Sequence, residues 1–226
     1  MRTWLKPCLV ALGLMAAWAL APPSAIAGIA GTDHDFSSVA PGGQLCVACH
    51  TPHHANSTLL LWNHVLSSLN YSWSDATKTT GGTTLPTNIK TWSGSTKNCL
   101  SCHDGTVEIG KLYHPAVTFV ATKISGDAQI ATATGDLKGN HPVAVPYPYG
   151  GLKNTYNGIT TGDLALPSGW VATPTDVKIF ADASVVGPSN RGVECASCHD
   201  PHGTAFDEFL RASTSGSAIC LKCHVK

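Results

Sequence analysis

Apolar residues are unevenly spread along the chain, and only one apolar run is long. CLVALGLMAAWALA (8–21) follows Arg2 and Lys6 and precedes Ala25-Ile26-Ala27, an A-x-A cleavage pattern. A helix crossing roughly 30 Å of hydrocarbon needs about 20 apolar residues, more than this run supplies. Residues 1–27 are therefore expected to be a secretory signal peptide, with an uncleaved anchor as the alternative. The mature chain, 28–226, is expected to be one exported domain with no membrane span. Beyond the signal, periodicity is weak. AVTFVATKI (116–124) and DVKIFADASVV (176–186) alternate or are β-branched and predict short strands. TAFDEFLRAS (204–213) predicts a short helix, whereas TKTTGGTT (77–84) and VPYPYGGLKNTYNG (145–158) predict loops.

Composition sharpens this picture. Charged residues are 12% of the chain, where about 25% is usual for a soluble domain. Gly (22) and Pro (14) are plentiful. Removing Arg2 and Lys6 with the signal leaves 12 basic against 14 acidic residues, and no basic patch points to nucleic acid. Sparse charge and weak periodicity describe a chain wrapped around something other than itself.

The cysteines say what that is. Cys8 leaves with the signal, and the other eight form four C-x-x-C-H motifs, CVACH (46–50), CLSCH (99–103), CASCH (195–199) and CLKCH (220–224). Four disulfides or structural zinc are the rival uses of eight exported cysteines. Neither requires a histidine after every pair; chance would place it there four times with odds on the order of one in 10^5. Covalent haem c does require it. Two cysteines three apart on a helical turn reach the two vinyl-derived carbons of one porphyrin, and the next histidine turns toward the iron. The thioether pairs are then Cys46/Cys49, Cys99/Cys102, Cys195/Cys198 and Cys220/Cys223, with proximal ligands His50, His103, His199 and His224. The expected fold is mostly irregular coil, with short helices at the motifs, a few short strands, and four haems as the core.

Seven histidines remain: His34, His53, His54, His64, His114, His141 and His202. Met1 and Met15 both lie in the signal, so His/Met ligation is excluded and bis-histidine iron at low potential is expected. His50 and His53, like His199 and His202, are three apart. On a helical turn they would lie side by side, so the second histidine of each pair would have to serve a different haem. Trp62, Trp73, Trp92 and Trp170 are candidates to line haem edges. Arg191 and Arg211 are candidates to meet propionates.

In order, CHTPHH, LWNH, CLSCHDGT, NHPVAVPYP, CASCHDPHG, FLRAS and CLKCHVK resemble the doubled-CXXCH multihaem cytochromes, most closely their tetrahaem branch with extracellular filaments. The resemblance covers nearly all of the mature chain. It implies His34, His53, His141 and His202 as distal ligands, with His64, His114 and His54 in reserve. It also implies a homopolymer in which one histidine, His53 favoured, ligates a haem of the next subunit. Relatives often carry Asn where this chain has His54, so the choice between His53 and His54 stays open. The implied function is electron transfer without catalysis, at the cell surface or outside the cell, with redox proteins or extracellular acceptors as partners. The alternatives are a monomeric periplasmic shuttle and, in another class, a multihaem reductase with one open iron.

Overall fold

The computed structural model describes residues 28–56, 59–74, 94–147, 155–157, 159–160, 169–181, 191–203 and 205–225. The signal segment, the 77–84 loop and Trp92 lie outside them. Regular structure is sparse among the described residues. There are two α-helices, α1 (Ser95–His103) and α2 (Cys195–Cys198), and several 3-10 turns. The strands are β1 (Val145–Pro146), β2 (Thr155–Tyr156), β3 (Ile159–Thr160), β4 (Phe180–Ala181) and β5 (Arg191–Val193). β1, β5 and β4 form a three-stranded antiparallel sheet, with Val145 opposite Val193 and Phe180 opposite Gly192; β2 and β3 form a separate hairpin. The chain is mostly coil, as weak periodicity predicts.

Three local expectations need correction. Residues 116–124 form no strand. They run antiparallel beside 109–112, with Ile109 N bonded to Thr122 O, Gly110 N to Val120 O, Phe119 N to Gly110 O and Leu112 N to Val117 O, but the ladder amounts to one isolated bridge, Lys111 to Thr118. Val117 stays 42% exposed, so no protein layer rewards a longer ladder. DVKIFADASVV contributes only β4, and its last five residues lie outside the described set. TAFDEFLRAS is not a helix but one 3-10 turn, Asp207–Phe209, because Glu208 (φ 55°) and Phe209 (φ 57°) adopt left-handed backbone that cannot propagate a right-handed helix.

A small apolar cluster exists: Tyr71, Trp73, Leu100, Ala131, Leu137 and Val145. Next to it two buried acids organise the centre. Asp104 accepts from the Tyr71 hydroxyl (2.8 Å) and from Thr106 N and Oγ1 (each 2.8 Å). Glu194, fully buried, accepts from Thr96 N (2.9 Å), Tyr156 Oη (2.7 Å) and Asn157 Nδ2 (3.2 Å), and closes a capping box with Ser197 at the start of α2. Thr96 Oγ1 in turn accepts from Cys195 N at 3.0 Å. The N-termini of α1 and α2, 100 positions apart in sequence, are thus tied together. This close approach explains Gly94: a Cβ there would lie 1.9 Å from Glu194 Oε1.

Candidate haem-attachment sites

All four motifs close the same turn. His50 N bonds to Cys46 O (2.8 Å), His199 N to Cys195 O (3.0 Å) and His224 N to Cys220 O (2.9 Å), while 99–103 is the last turn of α1. All eight cysteines are unbridged. Burial pushes the Cys49 and Cys198 thiols up to about 11 and Cys102 up to about 12. Cys99 donates a hydrogen bond to Cys195, which raises Cys99 and lowers Cys195. Among the described residues no group of three or more His, Cys, Asp or Glu converges to hold a bare cation. Thiols of successive motifs also neighbour one another: Cys49 by Cys102, Cys99 by Cys195, Cys198 by Cys223.

The histidines of motifs 1 to 3 are oriented from behind. Nδ1–H of His50 donates to Leu60 O (2.6 Å), that of His103 to Ala128 O (2.8 Å) and that of His199 to Glu208 O (2.7 Å). A carbonyl only accepts, so Nδ1 carries the proton and Nε2 is left with its lone pair free for a metal. Motif 4 is held differently: Val225 N bonds to Gly169 O (2.8 Å), Val171 N to Cys223 O (2.8 Å), and Trp170 tilts against His224 with ring centroids 4.6 Å apart.

Motifs 1 and 3 share a module that runs well past the CxxCH. Thr51 N bonds to Leu61 O and Asp200 N to Phe209 O; Asn63 N bonds to Cys49 O and Arg211 N to Cys198 O. His50 bridges to Trp62 and His199 to Leu210. The side chains repeat the pattern: Asn63 Nδ2 donates to Val47 O (2.9 Å), Arg211 Nε to Ala196 O (3.0 Å). In both modules the carbonyl that accepts from the histidine sits in a left-handed turn, Leu60–Leu61 (φ 62°, 51°) or Glu208–Phe209. Leu60 and Glu208 have no side-chain chemistry in common, so the sequence reading missed them. The only sequence signal is an apolar pair ten and eleven residues after each histidine, Leu60-Leu61 and Phe209-Leu210.

The side-by-side helical geometry expected for His50 and His53 does not form. His199 is already extended (φ −106°, ψ 140°), and the chain bends over 52–54. Pro52 and Pro201 drive the residues before them, Thr51 and Asp200, out of helical backbone, so no helix continues to His53 or His202.

All eleven histidines are described, and several rings pair across motifs. Ring centroids are 6.1 Å apart for His34 and His103, 6.1 Å for His50 and His202, and 6.3 Å for His141 and His224. Two imidazoles on opposite sides of one metal, with bonds of roughly 2 Å, have centroids about 6 Å apart. Burial, with the neighbouring His103 second, pushes His34 down, and burial followed by His141 does the same to His224; both shifts favour the neutral ring that a metal binds. His34 also stacks on Phe209 at 4.6 Å. His199 faces no histidine ring among the described residues. His64 is buried, with Nδ1 2.8 Å from Val65 O and Nε2 3.0 Å from Glu108 O, so neither nitrogen points into open space. His54 and His114 pair with each other at 4.6 Å, and His53 is exposed on its loop.

The family model for the doubled CXXCH motif matches residues 187–226, which hold motifs 3 and 4. These motifs indicate covalent haem c. The match supports a multihaem c-type cytochrome and an electron-carrying role. No curated protein matches the chain. No helix among the described residues is long and apolar enough to cross a membrane.

Proposed function

We propose that this chain is an exported tetrahaem cytochrome whose subunits polymerise head to tail into an electron-conducting filament. The observation that carries the reading is the pairing of histidines: three proximal rings face a histidine of another segment at 6.1–6.3 Å, and His199 does not. Cys46/Cys49, Cys99/Cys102, Cys195/Cys198 and Cys220/Cys223 would hold four haems. His202 completes the site of His50, His34 that of His103, and His141 that of His224. When bound, each haem would supply one-electron chemistry.

The chain's own residues fix everything around that chemistry. Backbone carbonyls of Leu60, Ala128 and Glu208 set three of the proximal tautomers. The succession of neighbouring thiols, motif 1 by 2, 2 by 3 and 3 by 4, lines the sites up in sequence order. Leu60, Leu61, Phe206, Leu221 and Val225, each more than 40% exposed in the protein alone, flank the motifs as an apolar cradle would. The indole N–H groups of Trp62 and Trp73 are buried without a partner and suit propionate oxygens.

The fourth distal ligand follows from the repeated module. The module of motif 3 sends His202 to His50 in the module of motif 1. Its counterpart, His53, is exposed and reaches no proximal histidine of its own chain; given to a neighbour, it would complete that subunit's His199 site. Such an exchange uses two different surfaces, and a heterologous contact that does not close produces an open fibre.

Electron microscopy and low-temperature electron paramagnetic resonance of the haem-loaded protein test this together. Fibres with four low-spin haems per subunit are expected. Single particles with four low-spin haems would replace the reading with a monomeric shuttle. Single particles with one high-spin haem would mean an open iron at His199, the arrangement a reductase needs.

A further inference from the structure

The His54–His114 pair is used by none of this. We propose that these two side chains chelate a divalent transition-metal ion of the zinc class, at a surface site separate from the haems. Ring separation, exposure and the fastening of both loops carry the assignment together, since 4.6 Å is by itself also the separation of the His34–Phe209 and Trp170–His224 ring contacts. Two imidazoles bound in adjacent positions of one metal, through bonds of roughly 2 Å, have centroids about 4.5–5 Å apart. His54 and His114 stand at 4.6 Å with planes 32° apart, whereas the haem-site pairs stand at 6.1–6.3 Å. Both rings are exposed, and neither makes a hydrogen bond among the described residues, so their nitrogens are available.

The pair is also preorganised. Both loops that carry it are fastened to the same segment, 62–64. Asn56 N bonds to Trp62 O (2.8 Å) and Asn56 Nδ2 to His64 O (3.2 Å); from the other side Asn63 Oδ1 accepts from His114 N (2.9 Å) and Asn63 O from Tyr113 N (2.5 Å). His54 itself sits at φ 57°, in left-handed backbone that histidine adopts more readily than most non-glycine residues. The matching position of the motif 3 module is Gly203, so the second histidine belongs to module 1 alone. No group of three or more His, Cys, Asp or Glu converges among the described residues, so water completes the coordination sphere. Imidazole nitrogens with water suit Zn2+, Ni2+ and Cu2+ in preference to Mg2+ or Ca2+.

The test is calorimetric titration of the haem-loaded protein with Zn2+, which the haems cannot reduce. One site per subunit is expected, competed by Ni2+ and not by Mg2+. His54→Ala and His114→Ala should each weaken that same site about tenfold or more, because one imidazole remains. His114→Gln, which preserves bulk, should do the same with all four haems still low-spin. An isotherm unchanged by these substitutions, or one haem turned high-spin by His114→Gln, would overturn the proposal; the second result would make His114 an iron ligand. Zinc stoichiometry is read independently of polymer formation, so loss of the filament reading leaves this result intact.

Discussion

Modules 46–63 and 195–211 fold alike and end differently. Both close a CxxCH turn, hand the histidine Nδ1–H to a carbonyl in a left-handed turn, and clamp the second residue of the motif through a polar side chain, Asn63 or Arg211. Module 3 is fixed to the rest of the protein by Glu194, and its second histidine, His202, lies 6.1 Å from His50. Module 1 has no such buried acid before its motif, and its second histidine projects outward. One local architecture thus brings its second histidine against another motif in module 3 and leaves it exposed in module 1. The difference lies in what surrounds each module.

Exchanging the fate of the two histidines gives the largest expected effect. His53→Ala should abolish fibres and leave one haem per subunit high-spin, while purified subunits remain folded. His202→Ala should produce one high-spin haem in fibres, at His50, and two in dispersed subunits, where His199 is open as well. Spin state measured in both variants, before and after dispersal, separates the two. Equal behaviour would break the comparison.

Removing the anchor comes next. Glu194→Ala strips a fully buried acceptor from Thr96 N, Tyr156 Oη and Asn157 Nδ2 and opens the capping box of α2. Leaving three donors unmet should cost about 3 kcal/mol or more in guanidinium unfolding. A loss below 1 kcal/mol would mean that Glu194 is not what distinguishes module 3.

What the sequence made legible, and what it hid, divides along the same line. Chemistry carried by side chains at fixed spacing is legible: the doubled CXXCH match falls on the cysteines and histidines of motifs 3 and 4. So is the scarcity of regular structure, because 12% charge and weak periodicity leave little to fold as helix or sheet. The shared module was hidden because it consists of backbone bonds to Leu60 and Glu208, residues with nothing else in common. The Glu194 hub was hidden because its partners arrive from Thr96 and Tyr156, far away in the chain. The helical reading of CHTPH failed through a local rule that was present in the sequence: Thr51 and Asp200 precede prolines.

The smallest effects test whether Asn63 and Arg211 are true counterparts. Asn63 is completely buried; its amide N–H holds Val47 O and its carbonyl receives His114 N. Arg211 holds Ala196 O and pairs with Asp200 at 3.0 Å, but its side chain is 24% exposed and the carboxylate 35%, so water can replace part of what it does. Asn63→Ala should therefore cost about 1–3 kcal/mol, since burial leaves both a donor and an acceptor orphaned. Arg211→Met should cost about 1 kcal/mol at most, and less in high salt, because a half-exposed ion pair is screened. Guanidinium unfolding of the two variants at low and high ionic strength checks both the order and the salt dependence. If Arg211→Met proves the costlier, the clamp on the CxxC turn is stronger in module 3, and module 1 owes its shape to Tyr113 and His114, whose backbone N–H groups bond to Asn63.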